Sequence, residues 1–468
     1  MTLDESKLRS TSGLDDGVTA GMLLRSLDTS RMTAKHIGLY VIASLGHFFD
    51  GYDVQVIGVV LPAITAYYKL SSGESGALAS TAAFGMFFGA LVVGFVSDRL
   101  GRKGSLMLAL ATFSIFSLLS AVAPNFGLLI TFRVLTGVGL GAEVVTMYAY
   151  ISEFLPSKHR GTLLTTSSLF WQLASVASAL LALAVVPSIG WQWMFVIGAI
   201  PAIITVAIWR ILPESVRFLI TRNKLERAEK EVRGLSSVDP SRVRRDESLA
   251  TASQVANADK QLPVSALLRG SLRRYTIGVW IIQFFNGFVL FAIVTWLPSI
   301  LLAKGFDFVH SLSYVIIIVT VGAVGNLGAG LVLNVIGRRN AMLIFFIVGG
   351  VALMVWGLQN SVAGILIVGS IASFFIYGVS GAVYTYTSEI YPNRLRGTGT
   401  GWSGAAQRVG AIVAPLIIGF MVGAHFNIIS VFILLAVGFI IAALAVVFLT
   451  HETGGKSLEE IEADVVGS

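Results

Sequence analysis

The chain of 468 residues is 55% hydrophobic and only 13% charged, has no cysteine and carries a formal net charge of +7. Soluble domains carry about 25% charged residues, so this composition excludes an ordinary soluble enzyme, and the missing thiols exclude disulfides and cysteine ligands. The apolar residues recur in blocks of 18–25, the length a helix needs to cross a hydrocarbon core of about 30 Å.

In chain order, residues 1–37 read as a polar, mixed-charge tail with no cleavable signal peptide. Six spans follow at about 38–66, 77–97, 104–123, 127–150, 162–186 and 192–212, giving a first half over 38–212. A polar connector at 213–274 includes "LERAEKEVRGL" (225–235), which reads as a surface helix. Six more spans, about 275–302, 312–336, 341–358, 363–387, 399–422 and 428–450, fill a second half over 275–450, and a tail covers 451–468. The expected fold class is an all-α polytopic membrane protein of twelve transmembrane helices. Of the 33 Lys and Arg, only Lys69 and Lys304 fall in loops on one side, and Arg133 and Arg408 lie within spans. The rest flank the opposite side, which makes both termini cytoplasmic by the positive-inside rule. The +7 therefore reflects topology, and no basic patch with interleaved aromatics supports a nucleic-acid partner.

Sliding the chain against itself reveals a repeat. "FFDGYD" (48–53) aligns with "FFNGFV" (284–289), "LPAI" (61–64) with "LPSI" (297–300), "GFVSDRLGRK" (94–103) with "GLVLNVIGRR" (330–339) and "SEFLPSKHRGT" (152–162) with "SEIYPNRLRGT" (388–398), all at an offset of 236 residues. Two homologous six-helix halves are one architecture of secondary transporters, which bind substrate at the midplane between halves. The loop between spans 2 and 3, with Gly94, Asp98, Arg99, Gly101, Arg102 and Lys103, resembles the signature loop of the major facilitator superfamily. "PESVRFL" (213–219) and "HETGGKSLEEIE" (451–462) resemble segments of its sugar-porter-like branch.

Charged residues fall in two layers. Asp98, Arg99, Arg102, Glu153, Arg160, Glu389 and Arg396 lie at cytoplasmic ends of spans. The resemblance implies that they form a latch, with Gly94 and Gly101 in its loop, that holds the inner gate shut in the outward-open state; the plainer reading is that they set topology. Asp50, Asp53, Arg133, Glu143 and Arg408 lie at membrane depth, where an ionisable residue is a functional hypothesis by default. Gln172, Asn286, Tyr384, Tyr386, Gln407 and Trp171 add hydrogen-bonding capacity. The repeat mates of Asp50, Asp53 and Glu143 are Asn286, Val289 and Val379, so the twofold scaffold does not require these acids.

Asp50-Gly51-Tyr52-Asp53 in span 1 resembles the mark of aromatic acid:proton symporters, bacterial inner-membrane carriers, while "GVGLGAE" (137–143) looks closer to broader metabolite:proton symporters and nicotinate carriers. The resemblance implies alternating-access import of a small organic anion, an aromatic carboxylate first, with the proton as coupling ion, no cofactor, and a monomer working in the lipid bilayer. Sugar, polyol or nicotinate-type substrates are the alternatives. On this reading Asp53 first, then Asp50 and Glu143, carry the proton, while Arg133 and Arg408 hold the substrate anion. A standing ion pair between the span 1 acids and an arginine is the structural alternative. His47, almost one turn before Asp50, is either a packed histidine or a proton relay. The six histidines show no ligand spacing, so no metal site is expected, and no nucleophile–base cluster marks an enzyme. The glycines at 137, 139 and 141 and those in "GAVGNLGAG" (322–330) read as close helix packing.

Overall fold

Capping residues mark where the apolar blocks turn into helices. In the computed structural model of the chain, which describes residues 19–243, 263–392, 394–454 and 460, Thr19 caps α1 (Ala20–Asp28) and Thr33 caps α2 (Ala34–Tyr68). Ser71 and Glu74 form a capping box at the start of α3 (Ser72–Ala121), and Asn125 caps α4 (Phe126–Phe154). The first half continues through α5 (Ser157–Thr166), α6 (Ser168–Ile189), α7 (Gln192–Gly198) and α8 (Pro201–Ile211), and the connector contributes α9 (Val216–Thr221) and α10 (Leu225–Leu235). The second half comprises α11 (Leu272–Ala303), α12 (Phe308–Ile336), α13 (Arg338–Gly357), α14 (Val362–Ile390), α15 (Arg396–Gly423) and α16 (Ile428–Leu449). The expectations for residues 1–18, 244–262, 455–459 and 461–468 lie outside the described residues.

Ten of these helices are long and apolar enough to cross a membrane. One of them, α3, makes two passes, because Gly101 at φ 83° and ψ 174° breaks it at the Lys- and Arg-rich end of the bundle, here called the inner end. The sixth span is not one helix but the pair α7–α8, broken just before Pro201, whose ring removes a backbone donor. With that pair the spans number twelve, in two six-helix halves.

Glycine decides how closely the helices of the first half approach. A Cβ on Gly137 would lie 2.4 Å from the Ala82 carbonyl oxygen, and one on Gly141 would lie 2.1 Å from that of Met86. No side chain fits, so α3 and α4 pack backbone to backbone. Glycine contacts that join the halves gather at the outer ends. Gly58 of α2 meets the Val294 carbonyl of α11, and Gly76 of α3 meets Pro415 and Gly419 of α15. Ser80 Oγ donates to the Ile412 carbonyl at 3.0 Å across the same seam. At the inner ends Gly94 and Gly330 have no neighbouring atom within 4 Å of a Cβ. The halves therefore touch at the end away from the Lys- and Arg-rich loops.

At the inner end, Leu23, Leu24 and Leu27 of α1 are buried in one cluster with Ala228, Val232 and Leu235 of α10. Ser26 Oγ donates to the Val238 carbonyl at 2.6 Å and Lys35 Nζ to that of Gly234 at 2.7 Å. The helix read in the connector thus has one face packed on the chain's own N-terminal helix.

Candidate functional site

The deep acids of span 1 divide. Three residues along a helix is about 300° of rotation, leaving the side chains roughly 60° apart. Asp53 turns towards Arg133 of α4, which donates through one NH2 group to Oδ1 at 3.0 Å and through the other to Oδ2 at 2.7 Å. Both residues are 0% exposed. Ser117 donates to Asp53 Oδ1 at 3.2 Å and to the Phe195 carbonyl at 3.0 Å, and the Phe195 ring lies 5.0 Å from the guanidinium carbon. Arg133, expected to hold substrate, therefore has its fork occupied by Asp53 within the first half. Asp53, the leading candidate for the coupling acid, is the partner in a bidentate pair. This is the standing ion pair that the sequence left as the structural alternative.

Asp50 faces the other way. His47 Nδ1 lies 3.6 Å from Asp50 Oδ2, and ligand atoms of His47, Asp50 and Glu143 all lie within 4.8 Å of one another, with all three residues buried. His47 Nδ1 is buried without a hydrogen-bond partner, and the two carboxylates lie within hydrogen-bonding reach of each other. Histidine spacing did not suggest this group because one of its members comes from α4. Space there is tight: a Cβ on Gly46 would lie 2.6 Å from Glu143 Oε1. The His47 ring meets Tyr148 edge-on and Trp171 at a tilt, with centroids 5.6 and 5.3 Å away.

Trp171 carries the wall onward to a cleft between the halves. Val54, Gln55, Trp171 and Gln172 line one side, and Leu290, Phe291, Val294, Tyr377 and Ser380 the other. Gln55 Nε2 donates a short hydrogen bond to Ser175 Oγ. Gln172 Oε1, Tyr377 OH and Asn286 Nδ2 are buried without partners, and Ser380 Oγ donates to Asn286 Oδ1 at 2.9 Å. One turn inward on α14, the half-exposed Tyr384 donates to Gln407 Oε1 at 2.6 Å and lies close enough to Arg408 and to Tyr148 to interact electrostatically. Among the described residues Arg408 has no acidic partner within ion-pair distance. Tyr386 is a correction to the predicted substrate set: it is buried away from the cleft, and its hydroxyl accepts from the His451 backbone N–H at 3.1 Å.

The charged layer at the span ends repeats in both halves. Arg102 Nε pairs with Glu153 at 3.1 Å, and Ser215 Oγ donates a short hydrogen bond to the same carboxylate. Arg338 pairs with Glu389 at 3.1 Å, and Thr453 donates to it at 2.6 Å. Gly101 and Gly337 turn their corners at φ 83° and 84°, each beneath a carboxylate, Glu214 and Glu452. Glu214 accepts from the Lys103 N–H at 3.1 Å and Glu452 from the Arg338 N–H at 2.8 Å. These two acids were missed; the shared Glu-Ser of "PESVRFL" and Glu-Thr of "HETGG" was the available signal. Arg160 leaves the symmetry and pairs with Asp28 of α1 at 2.5 Å. Asp98 is exposed, and its carbonyl and that of Arg99 accept from Arg222 at 3.0 and 3.2 Å. Arg396 heads α15, with its Nε buried.

Two six-helix halves sealed at one end, a cleft between them and ionisable groups at membrane depth define a secondary transporter of the major facilitator type, not an enzyme. The profile described as "Sugar (and other) transporter" matches residues 39–465, and the chain belongs to that family. It is 32% identical over 432 residues to the niacin transporter NiaP of Acinetobacter baylyi, covering 91% of this chain and 96% of that one. The 4-hydroxybenzoate transporter PcaK of Pseudomonas putida is 28% identical, covering 86% and 89% of the two chains. Among solved structures, the inward-open xylose transporter XylE of E. coli superposes with a TM-score of 0.76 at 21% identity, over 92% of this chain and 99% of that one.

Proposed function

We propose that this protein carries an aromatic monocarboxylate, of which nicotinate and hydroxybenzoates are the first candidates, into the cell together with a proton. It is read as a monomer in the bacterial inner membrane with both termini in the cytoplasm. No cofactor is required, because the coupling ion is the proton. The observation that carries the reading is Arg408: a cation at membrane depth with no acidic partner among the described residues, set beside Tyr384, which lies one turn along α14 from Ser380 in the wall of an aromatic-lined cleft. Its half-buried guanidinium is open to an anion, and its planar fork matches a carboxylate. The walls supplied by Trp171, Phe291 and Tyr377 suit a flat ring better than a polyhydroxylated sugar, and relatives named for niacin, gentisate, gallate and 4-hydroxybenzoate transport support the same class. The Arg102–Glu153 and Arg338–Glu389 pairs act as inner-gate elements, held within their own halves while the inner side is open.

The test is counterflow in proteoliposomes. Labelled nicotinate and 4-hydroxybenzoate should exchange against unlabelled aromatic acids, and nicotinamide and xylose should not compete. Competition by nicotinamide equal to that by nicotinate would remove the anion clamp, and exchange of xylose alone would replace the substrate class.

A further inference from the structure

We infer that Gln55 and Tyr377 read the far end of the substrate ring: together they take a hydroxyl opposite the carboxylate, so the carrier selects 4-hydroxylated aromatic acids over unsubstituted ones. The inference rests on the aromatic-monocarboxylate reading above and narrows its substrate class.

A second cavity continues the first along α2 and α11, from Val54 and Leu290 to Val59 and Leu297, away from the inner end. Gln55, Val294 and Tyr377 line both cavities and so form the waist between them. Gln55 comes from the first half and Tyr377 from the second, and they are only 6% and 2% exposed. Beyond the waist the walls are aliphatic apart from Ser175 and Ser178. Ser178 Oγ donates to the Ser175 carbonyl at 2.9 Å. Ser175 Oγ accepts from Gln55 Nε2 and donates to the Trp171 carbonyl at 3.4 Å. Both serines are thus occupied, one of them in fixing the Gln55 amide. The Tyr377 hydroxyl lies close to that amide, yet it is buried without a hydrogen bond of good geometry. A group that donates to Gln55 Oε1 and accepts from Tyr377 OH would complete the near miss, and a hydroxyl does both.

The second line of argument is the spacing to the anion clamp. Tyr384, the neighbour of Arg408, lies seven residues from Tyr377 on α14. Seven residues are two turns, so the two tyrosines share a helix face about 10 Å apart, with Tyr377 further from the inner end. That span holds one ring with a polar group at each end, and the first cavity offers Trp171 and Phe291 as its walls. With its carboxylate on Arg408, such a ring turns its 4-position towards the waist. A 4-hydroxyl then pairs with both Gln55 and Tyr377. A bare ring leaves the two buried groups unpaired, and a site built to bond a hydroxyl rejects the analogue that lacks it. The nitrogen of nicotinate accepts but does not donate, and it stands at the 3-position, off this axis.

The experiment is calorimetric titration of the purified protein in detergent with 4-hydroxybenzoate, 3-hydroxybenzoate, benzoate and nicotinate. In the wild type, 4-hydroxybenzoate should bind at least about tenfold more tightly than the other three. Tyr377→Phe and Gln55→Leu should each weaken 4-hydroxybenzoate by about tenfold and leave benzoate within about twofold, so that the preference collapses. Ser175→Ala, a milder change that releases the Gln55 amide, should shift the preference in the same direction, and it carries the test if either larger change prevents folding. Wild-type benzoate, 3-hydroxybenzoate or nicotinate binding as tightly as 4-hydroxybenzoate would overturn the inference. So would equal losses for all four acids in the variants, since Gln55 and Tyr377 would then only hold the two halves together. Absence of binding by every one of the four would instead sink the aromatic-acid reading itself.

Discussion

Asp50 and Asp53 have the same side chain and lie three residues apart on one helix, yet their surroundings differ. Asp53 sits in a bidentate ion pair with Arg133, with two N–H···O bonds and a serine on the carboxylate and an aromatic ring beside the guanidinium. Asp53→Asn therefore leaves the Arg133 guanidinium buried without a counter-charge, which costs about 3–5 kcal/mol. Thermal melting in detergent should show a large loss, and Asp53→Asn combined with Arg133→Leu should recover most of it. A normal melting temperature in the single variant would contradict the pairing. At Arg408, Lys keeps the charge and loses the fork, so Arg408→Lys should weaken aromatic-acid binding by about tenfold while leaving melting unchanged. Equal binding by the two would detach the clamp from this residue. The sequence was legible as far as which side chains matter. The i,i+3 spacing marks both acids as functional, but partner choice depends on a rotation of about 60° and on which residue of α4 is opposite. That information belongs to the packing of two helices and to neither alone.

At the scale of elements, the inner corner of each half is one repeated device. A glycine at positive φ turns the chain, the backbone N–H groups of the next helix meet a carboxylate, and an arginine one position on pairs with a second acid. The fixed offset of 236 residues found Gly337, Arg338 and Glu389 as mates of Gly101, Arg102 and Glu153. It could not find Glu452 as the mate of Glu214, because that pair is two residues out of register. Removing either capping carboxylate leaves helix N–H donors unpaired near the membrane surface. Glu214→Ala and Glu452→Ala should each cost about 1–3 kcal/mol, read as a lowered melting temperature with substrate affinity unchanged. Loss of affinity without loss of stability would place these acids in the substrate path instead. The broken sixth span was legible only as a block of apolar residues, since its hydropathy is that of a continuous helix and Pro201 alone marks the break.

At the scale of the whole molecule, Gly76 and Gly419 meet backbone across the outer seam between the halves, whereas Gly94 and Gly330 at the other end have empty space where a Cβ would lie. Alternating access then needs the outer seam to part. A Cβ at position 423 of α15 would lie 3.6 Å from the Ser72 Cβ of α3, within the range a disulfide spans. The chain has no native cysteine, so the pair Ser72→Cys and Gly423→Cys can be introduced without background. Oxidation should cross-link the two halves at their outer ends and hold the carrier inward-facing. Substrate should still bind from the cytoplasmic side, counterflow should stop, and reduction should restore it. A cross-linked carrier that continues to exchange substrate would mean that the outer seam does not open during transport, and the rocking of two halves would have to be abandoned for this protein.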